Sequence, residues 1–273
     1  MIAASLCLLA ARTESSPLSE NTYLNAVELL RTFSGERAEQ YEPFFRFSDE
    51  TRIVGVEIHA AGTDDTDARY YAGTEGWKQI HNILRITTAD GFEGISGVVS
   101  ENQGEFSDEH LLELQGVTTD LLALRSLDPV EVGTMLERTR PDLSDASRAN
   151  IDIALWDLAA RRAGLPLYEL LGAKRDSIEP YSSLPFYDSL PEYVEAVNNY
   201  AKLGYRTFKF HVWGLIEEDS KLVKLIQQTF AVSPYQFMID LEGAYDFEDA
   251  LRLGGEMDER FFIWLEGLSL IHI

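Results

Sequence analysis

The sequence has a single cysteine, Cys7, and is short of basic residues: 23 Lys plus Arg face 46 Asp plus Glu, a formal net charge of −23. One thiol excludes an internal disulfide and any cysteine-built metal site, so nothing demands an oxidising compartment. The negative excess repels phosphate backbones and anionic leaflets, which argues against nucleic acid or a membrane as partner. A very soluble or salt-tolerant surface accounts for the same excess. The apolar opening, MIAASLCLLAA, is too short to span a bilayer and carries no Lys or Arg before its apolar run. It reads either as a signal-type segment of an exported protein or as a frayed or amphipathic end. The cytoplasm is the expected compartment, with export as the alternative.

The 273 residues are 45% hydrophobic and 25% charged, the composition of a globular chain that can bury a core. Residues 1–50 mix a Ser/Pro break with one helical stretch around Tyr23 to Phe33 and read as an N-terminal extension of unknown role. Order sharpens at Arg52. RIVGVEIHAAG alternates as a half-buried strand does, and HNILRITTADGFEGISGVVSE reads as two strands joined at Asp90-Gly91, where glycine supplies the positive φ of a tight hairpin. A three-stranded antiparallel sheet follows from these runs. The polar stretch between the first two strands, Gly62 to Gly76, has the composition of a loop that closes on a ligand, or of a solvated connector. Helical spacing then appears at Leu111 to Leu124, at Pro129 to Glu137, and in SRANIDIALWDLAARRAGLPLYELLGAKR, where Ile151, Ala154, Leu155, Leu158 and Ala159 share a face. Gly164 and Pro166 end that helix.

Beyond Lys174 the rhythm changes. Strand-like runs at Ile178 to Ser182, Thr207 to Val212, Gln236 to Leu241 and Phe262 to Glu266 alternate with helical patterns at Pro191 to Leu203, Glu217 to Phe230 and Asp246 to Met257. This is the βα repeat of a parallel sheet. The first of these strands is not followed by a glycine-rich phosphate turn, which argues against a dinucleotide fold.

In parallel barrels the functional groups lie at the carboxyl ends of the strands. In TFKFHVWG, Lys209 and His211 share one strand face and Phe208 and Phe210 the other. QFMIDLEG closes with Asp240 and FFIWLEG with Glu266. Two carboxylates from neighbouring strand tips repel unless a cation lies between them, and hard divalent ions prefer such oxygen ligands. The plainer alternative is an acidic residue that caps the next helix or stays solvated, and Glu242 is assigned to that role. Lys209 read alone is a snorkelling lysine, and His211 a satisfied core histidine.

Taken together, ANIDIALWDLAARRAGLPLYELLGA, then Gly204-Tyr205-Arg206 leading into Lys209-Phe210-His211, then Asp240 and Glu266, resemble the mandelate racemase/muconate lactonizing branch of the enolase superfamily. The likeness runs from about Arg52 to Glu266. It implies an α/β fold class: an α+β capping domain at 51–174, followed at 175–266 by the first half of a (β/α) TIM-type barrel. It further implies Mg²⁺ as cofactor, Asp240 and Glu266 as metal ligands, and a small carboxylate substrate. The chemistry implied is removal of the proton α to that carboxylate, with the ion stabilising the ene-diolate. Family members usually carry Lys-x-Lys where this chain has Lys209-Phe210-His211. Histidine keeps a base there, because imidazole titrates near neutrality without the tuning a lysine needs, and Lys209 becomes an electrostatic support.

The loop residues Asp64, Asp65, Arg69 and Tyr70 suit a hydroxylated substrate. The expected reaction is therefore a sugar-acid dehydratase, with a racemase or epimerase and a cycloisomerase as alternatives. A catalytically inactive binding barrel is the reading from another class. The full-length protein is expected to form homo-oligomers, as family barrels commonly do. The family has Glu-Pro where this chain has Gly267-Leu268, so 267–273 reads as a non-native tail, and the chain as a fragment truncated after its fourth barrel strand and inactive by itself.

Overall fold

The computed structural model describes residues 25–62, 80–100 and 108–268. They divide into two units, one running to Asp176 and the other starting at Ser177.

The first unit begins with helices α1 (Ala26–Ser34) and α2 (Glu42–Phe45), joined by a 3-10 turn. Strands β1 (Ile53–Gly62), β2 (Ile80–Thr88) and β3 (Glu93–Ser100) follow, then helices α3 (Asp108–Leu122), α4 (Pro129–Thr139), α5 (Asp145–Ala163) and the short α6 (Leu167–Leu170). The sheet is antiparallel in the order β1-β2-β3, as the hairpin pattern predicts. The turn closes with Thr88 N donating to Phe92 O at 2.9 Å.

Helix α5 organises this unit. Ser144 caps its start by accepting from Ser147 N, and Gly164, in the left-handed region, ends it. Ile151, Ala154, Leu155 and Leu158 pack with Leu84 and Ile86 of β2, whereas Trp156, Ala159 and Ala160 pack with Ala26, Leu30 and Phe45. Ala159 therefore leaves the face predicted for it. A helix held between a sheet and other helices is apolar on two sides, and a one-face reading undercounts its buried positions.

The polar residues of α5 also have structural partners. Asn150 bonds Ser96, Asp157 accepts from Ile95 N at 2.8 Å, and Arg162 pairs with Asp90 at 3.2 Å. At Gly94 a Cβ would collide with the Ala154 carbonyl, so helix and sheet approach more closely than any side chain allows.

The second unit alternates β4 (Ser182–Leu184), α7 (Leu190–Lys202), β5 (Thr207–His211), α8 (Ile216–Thr229), β6 (Gln236–Asp240), α9 (Phe247–Glu256) and β7 (Phe262–Glu266). The strands form one parallel sheet in the order β4-β5-β6-β7. Strand β4 starts later than the predicted Ile178. Pro180 has no N–H to give a ladder and Ile178 is 82% exposed, so pairing with β5 begins only at Ser182. Phe208, Phe210 and Phe237 face Tyr193, Val197, Leu222 and Ile226 in the core between sheet and helices. Gly267 O accepts from Gly243 N at 2.8 Å, which joins the segments that follow β7 and β6. Among the described residues, no helix is long and apolar enough to cross a membrane.

Candidate metal and proton-transfer site

Strand alternation turns Phe208 and Phe210 toward the helices and leaves Lys209 and His211 on the opposite face. The parallel register sets His211 level with Asp240 and Asp240 level with Glu266, so their side chains stand side by side at the carboxyl end of the sheet. Lys209 lies one pleat lower and reaches up. Its Nζ donates to Asp240 Oδ2 at 2.8 Å and to Glu266 Oε2 at 3.3 Å. Lys209, His211 and Asp240 are buried, whereas Glu266 is exposed. Burial alone would push the Lys209 ammonium down, but the hydrogen bond and charge of Asp240, with Glu266 beyond it, hold it above the ordinary lysine range.

His211 is fixed from several directions. Its Nδ1 meets the Leu184 carbonyl at 2.7 Å, a contact that requires the proton on Nδ1 and directs Nε2 into the site. Nε2 lies 3.2 Å from Glu242 Oε1 and 3.7 Å from Asp240 Oδ2. The Tyr193 hydroxyl donates to the His211 carbonyl at 2.6 Å, and the Tyr193 ring stands edge-on to Phe210 at 5.5 Å. The strand end is thereby pinned to α7.

Glu242 is exposed, as a solvated residue would be, but it does not cap the next helix. The cap of α9 is Asp246, which accepts from Asp249 N, while Glu242 turns its carboxylate toward His211. It does so at φ 49, a left-handed conformation that costs a residue with a side chain on the order of 1 kcal/mol. Its amide donates to Asp240 Oδ1 at 3.1 Å, which holds that carboxylate in place. The signal in the sequence was the spacing: Glu242 stands two residues after Asp240 and immediately before the turn glycine Gly243.

A second residue read only as part of an apolar strand is Trp264. Its Nε1 donates to Glu266 Oε2 at 3.3 Å, and its ring stands edge-on to Tyr181 at 6.1 Å. The predicted loop residues Asp64, Asp65, Arg69 and Tyr70 lie outside the described residues, as does the stretch 1–11.

The donor set fits a hard cation. Asp240 and Glu266 offer carboxylate oxygens from adjacent strand tips, and a positive group, the Lys209 ammonium, already bridges them. His211, Asp240 and Glu242 also bring one potential ligand atom each to within 4.8 Å of one another.

A parallel βα sheet with basic and acidic side chains gathered at its carboxyl end, preceded by an antiparallel sheet with a long buried helix, has the α/β architecture of enolase-type proteins. Two family models match the chain: "Mandelate racemase / muconate lactonizing enzyme, N-terminal domain" over residues 68–172 and "Enolase C-terminal domain-like" over residues 192–267. Between them they cover more than half of its length, and the chain belongs to the mandelate racemase/muconate lactonizing enzyme branch of the enolase superfamily.

L-talarate/galactarate dehydratase of Salmonella typhimurium is 29% identical over 67% of this chain and 48% of its own length. L-Ala-D/L-amino acid epimerase of Populus trichocarpa is 31% identical over 93% of this chain and 62% of its own. The crystal structure of a Pseudovibrio protein described as a mandelate racemase/muconate lactonizing enzyme superposes with a TM-score of 0.73 at 26% identity, covering 82% of this chain and 60% of that one. The chain thus spans roughly half to three fifths of the length of the proteins it matches.

Proposed function

We propose that the whole protein removes the proton α to the carboxylate of a hydroxylated acid, and that β4 to β7 are the half of a (β/α) barrel that carries the metal ligands and the base. The observation behind this reading is the placement of Lys209, His211, Asp240 and Glu266 on one face of the sheet, the last three level at its carboxyl end and Lys209 reaching up to both carboxylates. The dehydratase relative supports the ion, because its crystal structure carries Mg and a hydroxamate ligand.

Asp240 and Glu266 would hold Mg²⁺. Bound there, the ion supplies Lewis-acid stabilisation of the negative charge that develops on the substrate carboxylate. His211 takes the α-proton on Nε2, with its ring held by the Nδ1 contact to Leu184. Lys209 keeps a fixed positive charge beside the same carboxylates, which limits the cost of gathering negative groups at a partly buried site. Glu242, 3.2 Å from Nε2, would stabilise the imidazolium once that proton has been taken.

The dehydratase relative supports the substrate class. The dehydratase acts on talarate and galactarate, polyhydroxylated acids, and such a substrate would lose its β-hydroxyl after the proton leaves. The epimerase relative favours a second reading, in which the proton is returned to the same carbon.

One assay separates them. Incubation of the whole protein with Mg²⁺ and galactarate in deuterated water is expected to yield a keto acid; deuterated substrate or its epimer without elimination would favour the epimerase. His211→Asn is expected to slow loss of the α-proton by about a hundredfold or more while Mg²⁺ binding persists. Unimpaired exchange in that variant would reassign the base.

A further inference from the structure

The segments that follow β5 and β6 bear on His211 and Glu242, and both are tied to a carboxylate that no strand end supplies. Asp219 lies in the first turn of α8 and is fully buried. Its Oδ1 accepts from Trp213 N at 3.0 Å, and its Oδ2 accepts from Leu215 N at 3.0 Å and from the Tyr245 hydroxyl at 2.7 Å. The Gly214 amide, between these two donors, also favours the anion.

The Trp213 and Leu215 amides turn toward one anion as in a nest, and Gly214 between them, at φ 69, provides its left-handed step. A Cβ on Gly214 would come within 2.7 Å of Ala244 Cβ, so the two segments touch there and leave no room for a side chain. The N-cap of α8 is Leu215, which makes no side-chain bond. Asp219 therefore serves the loops as well as its own helix. Burial pushes its acid up, and the amide and tyrosine bonds oppose that shift by stabilising the anion.

Little chain separates this clasp from the site. Trp213 is two residues past His211 and Tyr245 three past Glu242, a reach of only about 7–10 Å of extended backbone. The Trp213 ring further packs edge-on against Tyr193 at 5.3 Å, the residue whose hydroxyl holds the His211 carbonyl. Both routes connect the 213–215 segment to the histidine.

We propose that Asp219 is a positioning residue: acting through the Trp213 and Leu215 amides and the Tyr245 hydroxyl, it fixes where His211 and Glu242 stand relative to each other. The functional meaning of that placement rests on the role proposed for His211, but the placement itself is measurable without substrate or metal.

The test is nitrogen-resolved nuclear magnetic resonance of the His211 ring, with amide hydrogen exchange, in the chain and in Asp219→Asn and Tyr245→Phe. In Asp219→Asn the new side-chain N–H group faces backbone donors. Exchange at Trp213, Gly214 and Leu215 is expected to rise at least tenfold, and the His211 ring signals to shift as the ring loses its single orientation. Tyr245→Phe, which removes one bond, is expected to move the same signals less.

Faster amide exchange with unchanged His211 signals would overturn the proposal and leave Asp219 a structural clasp. If Asp219→Asn fails to fold, unchanged His211 signals in Tyr245→Phe overturn it equally. Addition of Mg²⁺ to the unaltered chain tests the other reading separately: without a response at Asp240 and Glu266 the metal assignment fails and the clasp stands.

Discussion

In the first unit three polar residues spread along α5 each hold a different point of the hairpin: Asn150 on Ser96, Asp157 on the Ile95 amide, Arg162 on Asp90. In the second unit Lys209, His211, Asp240, Glu242 and Glu266 are collected at one end of a sheet and contact chiefly one another. Both sets include buried polar groups, but only the second brings acceptors of like charge together. A polar group that joins two elements stabilises the fold in proportion to its bonds. A set of mutually repelling acceptors is a cost to the fold unless a cation joins it. Under the proposed function, the difference separates residues that build the protein from residues that would hold an ion.

Substitutions in the two units should therefore separate stability from ion binding. The largest effect is expected from Trp156→Ala in the first unit: this side chain is 2% exposed and stands edge-on to Phe45 at 5.6 Å. Its loss is expected to lower the unfolding free energy by about 3–5 kcal/mol, measured with denaturant. Mg²⁺ affinity should stay unchanged, and a parallel loss of affinity would break the distinction.

Next comes Lys209→Met, which leaves Asp240 beside Glu266 with no intervening charge. A cost near 3 kcal/mol is expected, at the low end for a broken buried pair because Glu266 is partly in water. Millimolar Mg²⁺ should recover part of it. Lys209 titrates above the ordinary lysine value, so its contribution is complete below about pH 10.5 and is lost as the pH rises through the higher folded value. The variant should accordingly lose less stability than the parent in that alkaline range. A parent and variant with superimposable alkaline limbs would remove Lys209 from the network.

Gly94→Ala is smaller, about 1–3 kcal/mol from overpacking against Ala154, and thermal unfolding in the presence and absence of Mg²⁺ should shift by the same amount. The least is expected of Asp157→Ala, about 1 kcal/mol for the acceptor withdrawn from the Ile95 amide. A change in ion affinity in either variant would mean that the units are not separable by function.

Much of this was legible because period and punctuation carry it. The hairpin at Asp90-Gly91, the βα alternation and the face shared by Lys209 and His211 follow from residue spacing alone. Asp240 and Glu266 could be named because a parallel strand's last inward residue is fixed by the two-residue period.

What escaped was set by tertiary contact. Glu242 reads as a solvated turn residue until its left-handed backbone brings the carboxylate to His211. Asp219 reads as an acidic residue at a helix start, a position favoured by the dipole alone, and nothing local reveals that Tyr245 bonds it from 26 residues further on. Strand β4 was misplaced because Ile178 and Tyr181 suggest a strand, whereas Pro180 between them gives no donor to a ladder.

The central claim is that Asp240 and Glu266 form the oxygen-ligand pair of a divalent-ion site. Calorimetric titration of the chain with Mg²⁺ tests it most directly, with Asp240→Asn as the matched variant. Saturable binding that disappears in Asp240→Asn while the variant remains folded is the expected result. Absence of binding by the unaltered chain, or binding that survives loss of the Asp240 carboxylate, would contradict it.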